Sequence, residues 1–311
     1  MTKNLHDKGY KRLFSNKLFF RQLIETFVTE EWVKDIDFDR LEKMDKSFIS
    51  AHYKETESDI IYRVKFNNED AYIYLLLEFQ STVNWFMALR MLNYISNFYM
   101  DYVERDKKIK KLPPIFPLVL YNGDDKWTAA TDFSALLEKP DLLKHYTPQL
   151  HYFKIAENEY DTDNLLQISN LVSTLFLVEN KQNIELIKTE LLNLFDKQED
   201  KEAISILLNW FKQLSLRGKQ SKYDYQAIET IYQTKDEART MLETTLERYG
   251  QDFFVKGKVE GKAEMLIMLL EERFGNLSCE QKESIYRFND KRFTQAFKKL
   301  LTLKNLTDIF Q

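Results

Sequence analysis

Residues Asp59–Gln80 read DIIYRVKFNNEDAYIYLLLEFQ, and their two apolar runs decide the fold. Asp59–Phe66 and Ala71–Gln80 are of strand length and rich in β-branched and aromatic residues. Between them "NNED" (Asn67–Asp70) forms a four-residue polar loop of hairpin type. The second run is continuous enough to be a buried strand, yet it closes on Glu78 and Gln80. Side chains alternate along a strand, so these two polar groups point the same way, one pleat apart.

If the loop is symmetric, Phe66 pairs with Ala71 and Asp59 falls directly opposite Glu78. Opposed residues in an antiparallel pair have Cβ atoms ~4.5–5.5 Å apart, and a two-residue slip leaves them diagonal neighbours at ~7–8 Å. Two carboxylates facing each other beside an apolar strand repel and lose hydration, which is costly without compensation. A divalent cation compensates both, and an oxygen site with few protein ligands suits magnesium. Two separately solvated strand ends account for the same spacing, so the residues alone leave both readings open.

Around the hairpin, Tyr10–Val28 carries apolar residues at helical spacing, with Lys11, Arg12, Lys17 and Arg21 between them. "SFISAHY" (Ser47–Tyr53) reads as a strand before the hairpin, and Trp85–Val103 as an amphipathic helix ended by Lys107, Lys108, Lys110, Lys111 and the prolines of "KLPPIFP". "PLVLYNGDD" is a short strand closed by an Asn-Gly turn, and "QLHYFKI" (Gln149–Ile155) a further one. The order is helix, three strands, helix, two strands: an α/β fold with a mixed sheet flanked by helices. Beyond Asp161 only helical periodicity remains, an all-α second half. Boundaries near 160 and 250 give domains 1–160, 161–250 and 251–311.

Among 311 residues, 44% are hydrophobic and 14% aromatic, ample for a core. A net charge of −4 excludes a globally basic nucleic-acid binder, and residues 1–120 nearly balance acid and base. The lysine run after the second helix therefore reads first as a solvated helix end. Cys279 is the single cysteine, so there is no internal disulfide and no cysteine-rich metal site. No apolar stretch approaches the ~20 residues of a membrane helix, and the N-terminus lacks a signal pattern, so a cytoplasmic setting without membrane partners is expected.

"SDIIYRV", "YLLLEFQST", "LRMLNYI" and "LPPIFPLVLYNG", preceded by "HDKGYKRLFSN", follow one another in an order and spacing that resembles the Rpn family of recombination-promoting nucleases. The likeness covers roughly residues 5–125. "KGKVEGKAEMLIMLLEERFG" is similar to a small C-terminal domain of unknown function found in such proteins. The resemblance implies the PD-(D/E)XK superfamily and a restriction-endonuclease-like fold. It implies a metal-dependent DNA endonuclease of low sequence specificity, linked to recombination or foreign DNA. Asp59 then matches the metal-binding aspartate and Glu78 the acidic member of the (D/E)XK pair. Gln80 stands where lysine is usual. Asp59, Glu78 and the Phe79 carbonyl would hold Mg²⁺, with Mn²⁺ or Ca²⁺ as alternatives, and Gln80 would position water through neutral hydrogen bonds alone. Arg90 and Tyr94, four apart on a helix, are placed near the site. Arg90 is either a phosphate contact or an ion-pair partner of a local carboxylate, and Tyr94 reads first as packing. Lys108 and Lys111 are the remaining candidates for the DNA backbone.

Two rivals belong beside that reading. One is a decayed nuclease fold that binds a protein partner or a second copy through its helical half, favoured by Gln80 and the lack of a basic surface. The other is an RNase with the same metal chemistry. His6–Asp7 does not make an HD phosphohydrolase in a chain with four histidines, and Asp7 reads as a helix cap. "GKVEGKA" lacks the spacing and the Ser/Thr of a phosphate loop.

Overall fold

The computed structural model describes residues 2–44, 59–66, 69–78, 83–180, 183–197, 200–215, 230–300 and 305–310. The chain divides into two compact units, the first built on Met1–Leu214 and the second on Met241–Gln311. The first holds a five-stranded sheet in sequential order: β1 (Ile36–Lys43), β2 (Asp59–Phe66), β3 (Glu69–Glu78), β4 (Ile115–Tyr121) and β5 (Phe153–Ala156). Strands β1 to β3 pair antiparallel, whereas β3, β4 and β5 run parallel. The sheet is mixed, as expected. The crossover from β3 to β4 is α3 (Met87–Arg105), within two residues of the expected helix.

Alternation along the strands divides the sheet into two apolar faces. Ile61, Tyr72, Tyr74, Leu76, Val119 and Tyr121 pack with Met87, Met91, Tyr94, Ile95 and Phe98 of α3. The even-numbered residues of β2, Ile60, Tyr62 and Val64, are buried on the other face, which α1 (Thr2–Ser15) covers at β2 and β3. There the Tyr62 hydroxyl donates to the carbonyls of Phe14 and Ser15 at 3.1 and 2.9 Å, and its ring stacks on Phe20 at 3.9 Å. The expected single helix over 10–28 is broken in two. Asn16 accepts from the amides of Leu18 and Phe19 and so caps α2 (Lys17–Phe27).

Two strand expectations change. β1 escapes sequence reading because it is a charged edge strand, IDFDRLEK, with Ile36 and Leu41 its buried residues and a register shift between Asp37 and Glu42. The strand expected over 47–53 lies outside the described residues. The hairpin register also differs from the symmetric one. Phe66 pairs with Glu69 and Lys65 with Asp70, so Asp59 stands opposite Leu76 rather than Glu78. Lys65 and Asp70 form a cross-strand ion pair at 2.8 Å, so the acids read as loop residues continue the ladder instead.

Helices α4 (Thr162–Ile168), α5 (Leu171–Glu179), α6 (Ile184–Lys197) and α7 (Lys201–Ser215) complete the first unit. α5 is wholly buried from Leu171 to Val178, with Ser173 and Thr174 among its mostly apolar residues. Its N-terminus is fastened to α2, with Gln22 accepting from the Leu171 amide at 2.8 Å. Gly9 of α1 admits Trp210 of α7, since a Cβ there would lie 2.0 Å from the indole ring. α8 (Lys235–Phe274) begins in this unit. From Met241 onward α8, α9 (Cys279–Tyr286) and α10 (Asp290–Leu300) belong to the second unit, whose core gathers Leu266, Leu270, Ile285, Phe288 and Phe293.

Candidate active site

Because β3, β4 and β5 are parallel, their carboxyl ends meet along one rim, the side where ligands bind in open α/β sheets. Glu78 ends β3 and is in register with Tyr121, which ends β4. The Glu78 side chain is 4% exposed, so its charge needs a partner. Arg90, in the first turn of α3, supplies one through Nη1 at 2.7 Å from Glu78 Oε2. The same guanidinium donates Nε and Nη2 to the Tyr94 hydroxyl at 3.3 and 3.1 Å. Tyr94 in turn stacks on Tyr74 of β3. Burial works against the Arg90 charge, but the Tyr94 hydroxyl and the Glu78 carboxylate outweigh it and hold the guanidinium pKa above its ordinary value.

Among the described residues Glu78 Oε1 receives no hydrogen bond, which leaves one hard oxygen donor open beside the bonded one. Asp59 begins β2 two register positions from Glu78, a diagonal neighbour across the hairpin. Phe79 and Gln80 lie outside the described residues, as does the Asp59 side chain. Further acid comes from the turn after β4. The Tyr121 hydroxyl is raised in pKa first by burial, then by the charges of Asp125, Asp124 and Glu78. Gly123 in that turn is forced by proximity, since a Cβ would fall 2.2 Å from the Tyr121 hydroxyl. A buried carboxylate with one oxygen unbonded among the described residues, diagonal in register to a second acid, is a hard-oxygen donor set of the kind that suits Mg²⁺ or Mn²⁺. Among the described residues no cluster of three or more His, Cys, Asp or Glu side chains forms a ready metal cage.

A second polar group sits at the same rim, against α1. Tyr10 donates to Glu157 Oε2 at 2.9 Å, and Asn122 Nδ2 donates to Glu157 Oε2 at 3.1 Å and to the Tyr10 hydroxyl. Glu157 is 2% exposed, and its Oε1 has no hydrogen-bond partner among the described residues. Burial, then the charge of Glu179, pushes the Glu157 carboxyl well above the ordinary range, against the opposing effect of the Tyr10 and Asn122 bonds. Glu179 itself accepts from the Trp210 indole at 2.8 Å.

A family model described as "Putative transposase, YhgA-like" matches residues 4–205, well over half of the chain. The chain belongs to that family. Its curated relatives include recombination-promoting nuclease RpnD of Escherichia coli O157:H7, 29% identical over 122 residues, which are 39% of this chain and 46% of the relative. Recombination-promoting nuclease RpnA of Escherichia coli K12 is 36% identical over 87 residues, 28% of this chain and 29% of the relative. The inactive recombination-promoting nuclease-like protein RpnE of the same strain is 27% identical over 123 residues, 40% of each chain. Each of these matches takes in less than half of the relative's own length. No solved structure matches.

Within the YhgA-like region the structure brings Glu78, Arg90 and Tyr94 together and sets Asp59 across the hairpin from them. It does not bring the lysines there. Lys108 and Lys111 follow the far end of α3, where Arg105 is already roughly 22 Å from Arg90 at 1.5 Å per residue, and both are exposed. Asp7 lies inside α1, in its second turn and buried, so it does not cap the helix. "GKVEGKA" falls within α8. Among the described residues no helix is long and apolar enough to cross a membrane. Sequence reading missed Asn122 and Glu157; the Asn-Gly turn marked the place of the first, and nothing local marked the second.

Proposed function

We propose that this chain is a metal-dependent endonuclease that hydrolyses phosphodiester bonds of DNA with little sequence specificity, in recombination or against mobile or foreign DNA. The observation that carries the reading is Glu78: an acid buried at the rim of a sheet, with one oxygen held by Arg90 and the other without a hydrogen bond among the described residues, diagonal in register to Asp59. The names of the nuclease relatives support the reaction class.

Asp59, Glu78 and the Phe79 carbonyl would hold a Mg²⁺ ion, which when bound acidifies water and offsets phosphate charge. Gln80 would orient the attacking water by neutral hydrogen bonds, and Tyr94 would keep the guanidinium of Arg90 in place. Arg90 fixes one oxygen of Glu78 and so selects the oxygen left for the metal. Its remaining exposure, 26% of the side chain, lets it meet a substrate phosphate without leaving the carboxylate.

Nicking of supercoiled plasmid with and without Mg²⁺ tests the proposal. The parent protein nicks only with the metal, and Asp59→Ala and Glu78→Ala reduce nicking at least a hundredfold; equal nicking by parent and both variants overturns it. A second reading, a nuclease fold without catalysis, is favoured by relatives named inactive and by Gln80 in the lysine position. Calorimetry separates the two, because the second reading expects no Asp59-dependent Mn²⁺ binding. A parallel panel of RNA substrates decides whether the backbone cleaved is DNA or RNA.

A further inference from the structure

The polar group against α1 shares a peptide with the candidate active site. The backbone amide of Asn122 donates to the carbonyl of Glu78 at 3.0 Å, extending the β3–β4 ladder one step past the Glu78–Tyr121 pair. That amide belongs to the residue whose side chain is bound by Tyr10 and Glu157. α1, the end of β4 and the turn after β5 therefore converge on the one residue that pins the end of β3. Arg90 grips the Glu78 side chain, and Asn122 grips its main chain.

We propose that Glu157 and Tyr10, acting through Asn122, are positioning residues that fix the carboxyl end of β3 and so the placement of Glu78 toward its metal. The inference rests on the reading of Glu78 as a metal ligand. Two observations set the group apart from ordinary core. Tyr10 is fully buried and Glu157 nearly so, and burying their polar groups carries a desolvation cost that apolar side chains do not. All the interactions of Glu157 Oε2 are spent on Tyr10 and Asn122, while Oε1 is left without a partner among the described residues, an imbalance that packing alone does not require. The bonds from Tyr10 and Asn122 to Oε2 tie three elements together and hold the Asn122 peptide in one geometry, and a metal ligand needs its supporting groups held to within about 0.5 Å.

Four variants test it: Glu157→Gln, Glu157→Leu, Asn122→Ala and the milder Tyr10→Phe, which keeps the ring and removes one hydroxyl. Mn²⁺ affinity is measured by calorimetry, and amide hydrogen exchange is followed in peptides covering the ends of β3 and β4. Glu157→Gln, which preserves an acceptor for Tyr10 and Asn122, is expected to match the parent in both. Asn122→Ala and Glu157→Leu are expected to weaken Mn²⁺ binding about tenfold, as loss of groups that orient metal ligands does, and to speed exchange at the β4 end about tenfold. Tyr10→Phe shows the same direction with a smaller effect, and it keeps the proposal open to refutation if the harsher variants fail to fold. Parent-like Mn²⁺ affinity in all of them overturns the positioning role, whether or not exchange speeds up. If the parent itself binds no Mn²⁺, the metal reading falls instead, and unchanged exchange would then overturn the clamp on β3 as well.

Discussion

Replacing Arg90 with methionine isolates the charge balance around Glu78. Methionine keeps an unbranched apolar stem and removes the guanidinium, so Glu78 loses its partner at 2.7 Å and Tyr94 loses two donors. Removing one member of a fully buried ion pair costs about 3–5 kcal/mol, because the remaining charge is stranded. The Arg90 side chain keeps 26% of its surface in water while Glu78 keeps 4%, so solvent already screens part of the pair. The expected loss near pH 8 is therefore about 2–3 kcal/mol. Urea unfolding of parent and Arg90→Met at pH 8, followed by circular dichroism, measures it. Adding Glu78→Gln removes the stranded charge and should recover about half of the loss in a double-mutant cycle. A deficit below about 0.5 kcal/mol, or no recovery on adding Glu78→Gln, refutes the view that Arg90 neutralises Glu78.

Glu157 gives a pH signature. Its carboxyl is raised above the ordinary 4.5 by burial and by Glu179, so its contribution is complete at acid pH and falls away as pH rises through the raised value. The group faces Tyr10, Asn122 and Glu179, and Glu157→Gln should flatten that part of the stability–pH curve; an unchanged slope in urea titrations contradicts the assignment. Gly9→Ala tests the packing of α1. Helix propensity alone favours alanine by about 1 kcal/mol, but the new methyl would overlap the Trp210 ring, so a net loss of about 1–3 kcal/mol is expected and a raised melting temperature would refute the close approach. Asn16→Ala should cost about 1 kcal/mol through the lost cap of α2, read in the same unfolding assay.

What the sequence yields here follows from how far each signal reaches along the chain. β2, β3, β4 and α3 are legible because each combines a strong apolar pattern with clear punctuation, the asparagines of the hairpin and the prolines before Ile115. β1 is illegible because a charged edge strand bears the residues that guard against edge pairing, and those same residues read as loop. The hairpin register missed by two because Glu69 and Asp70 are turn-forming types, whereas Lys65 holds Asp70 in the ladder. A slip of two keeps every residue on its own face, which is why the error left the Asp59–Glu78 relation diagonal instead of destroying it. Arg90 was legible as a neighbour of Tyr94 because four residues on a helix are a local fact; that its partner is Glu78 depends on the docking of α3 on β3. Glu157 stands at the other extreme. Its bond to Tyr10 joins residues 147 apart in the chain, across two elements that no periodicity connects, and a lone glutamate after a short strand reads as surface. Buried acids of this kind become visible only when the fold has closed over them, which is the reason the positioning group around Asn122 emerges from the structure and the acid pair of the hairpin from the sequence.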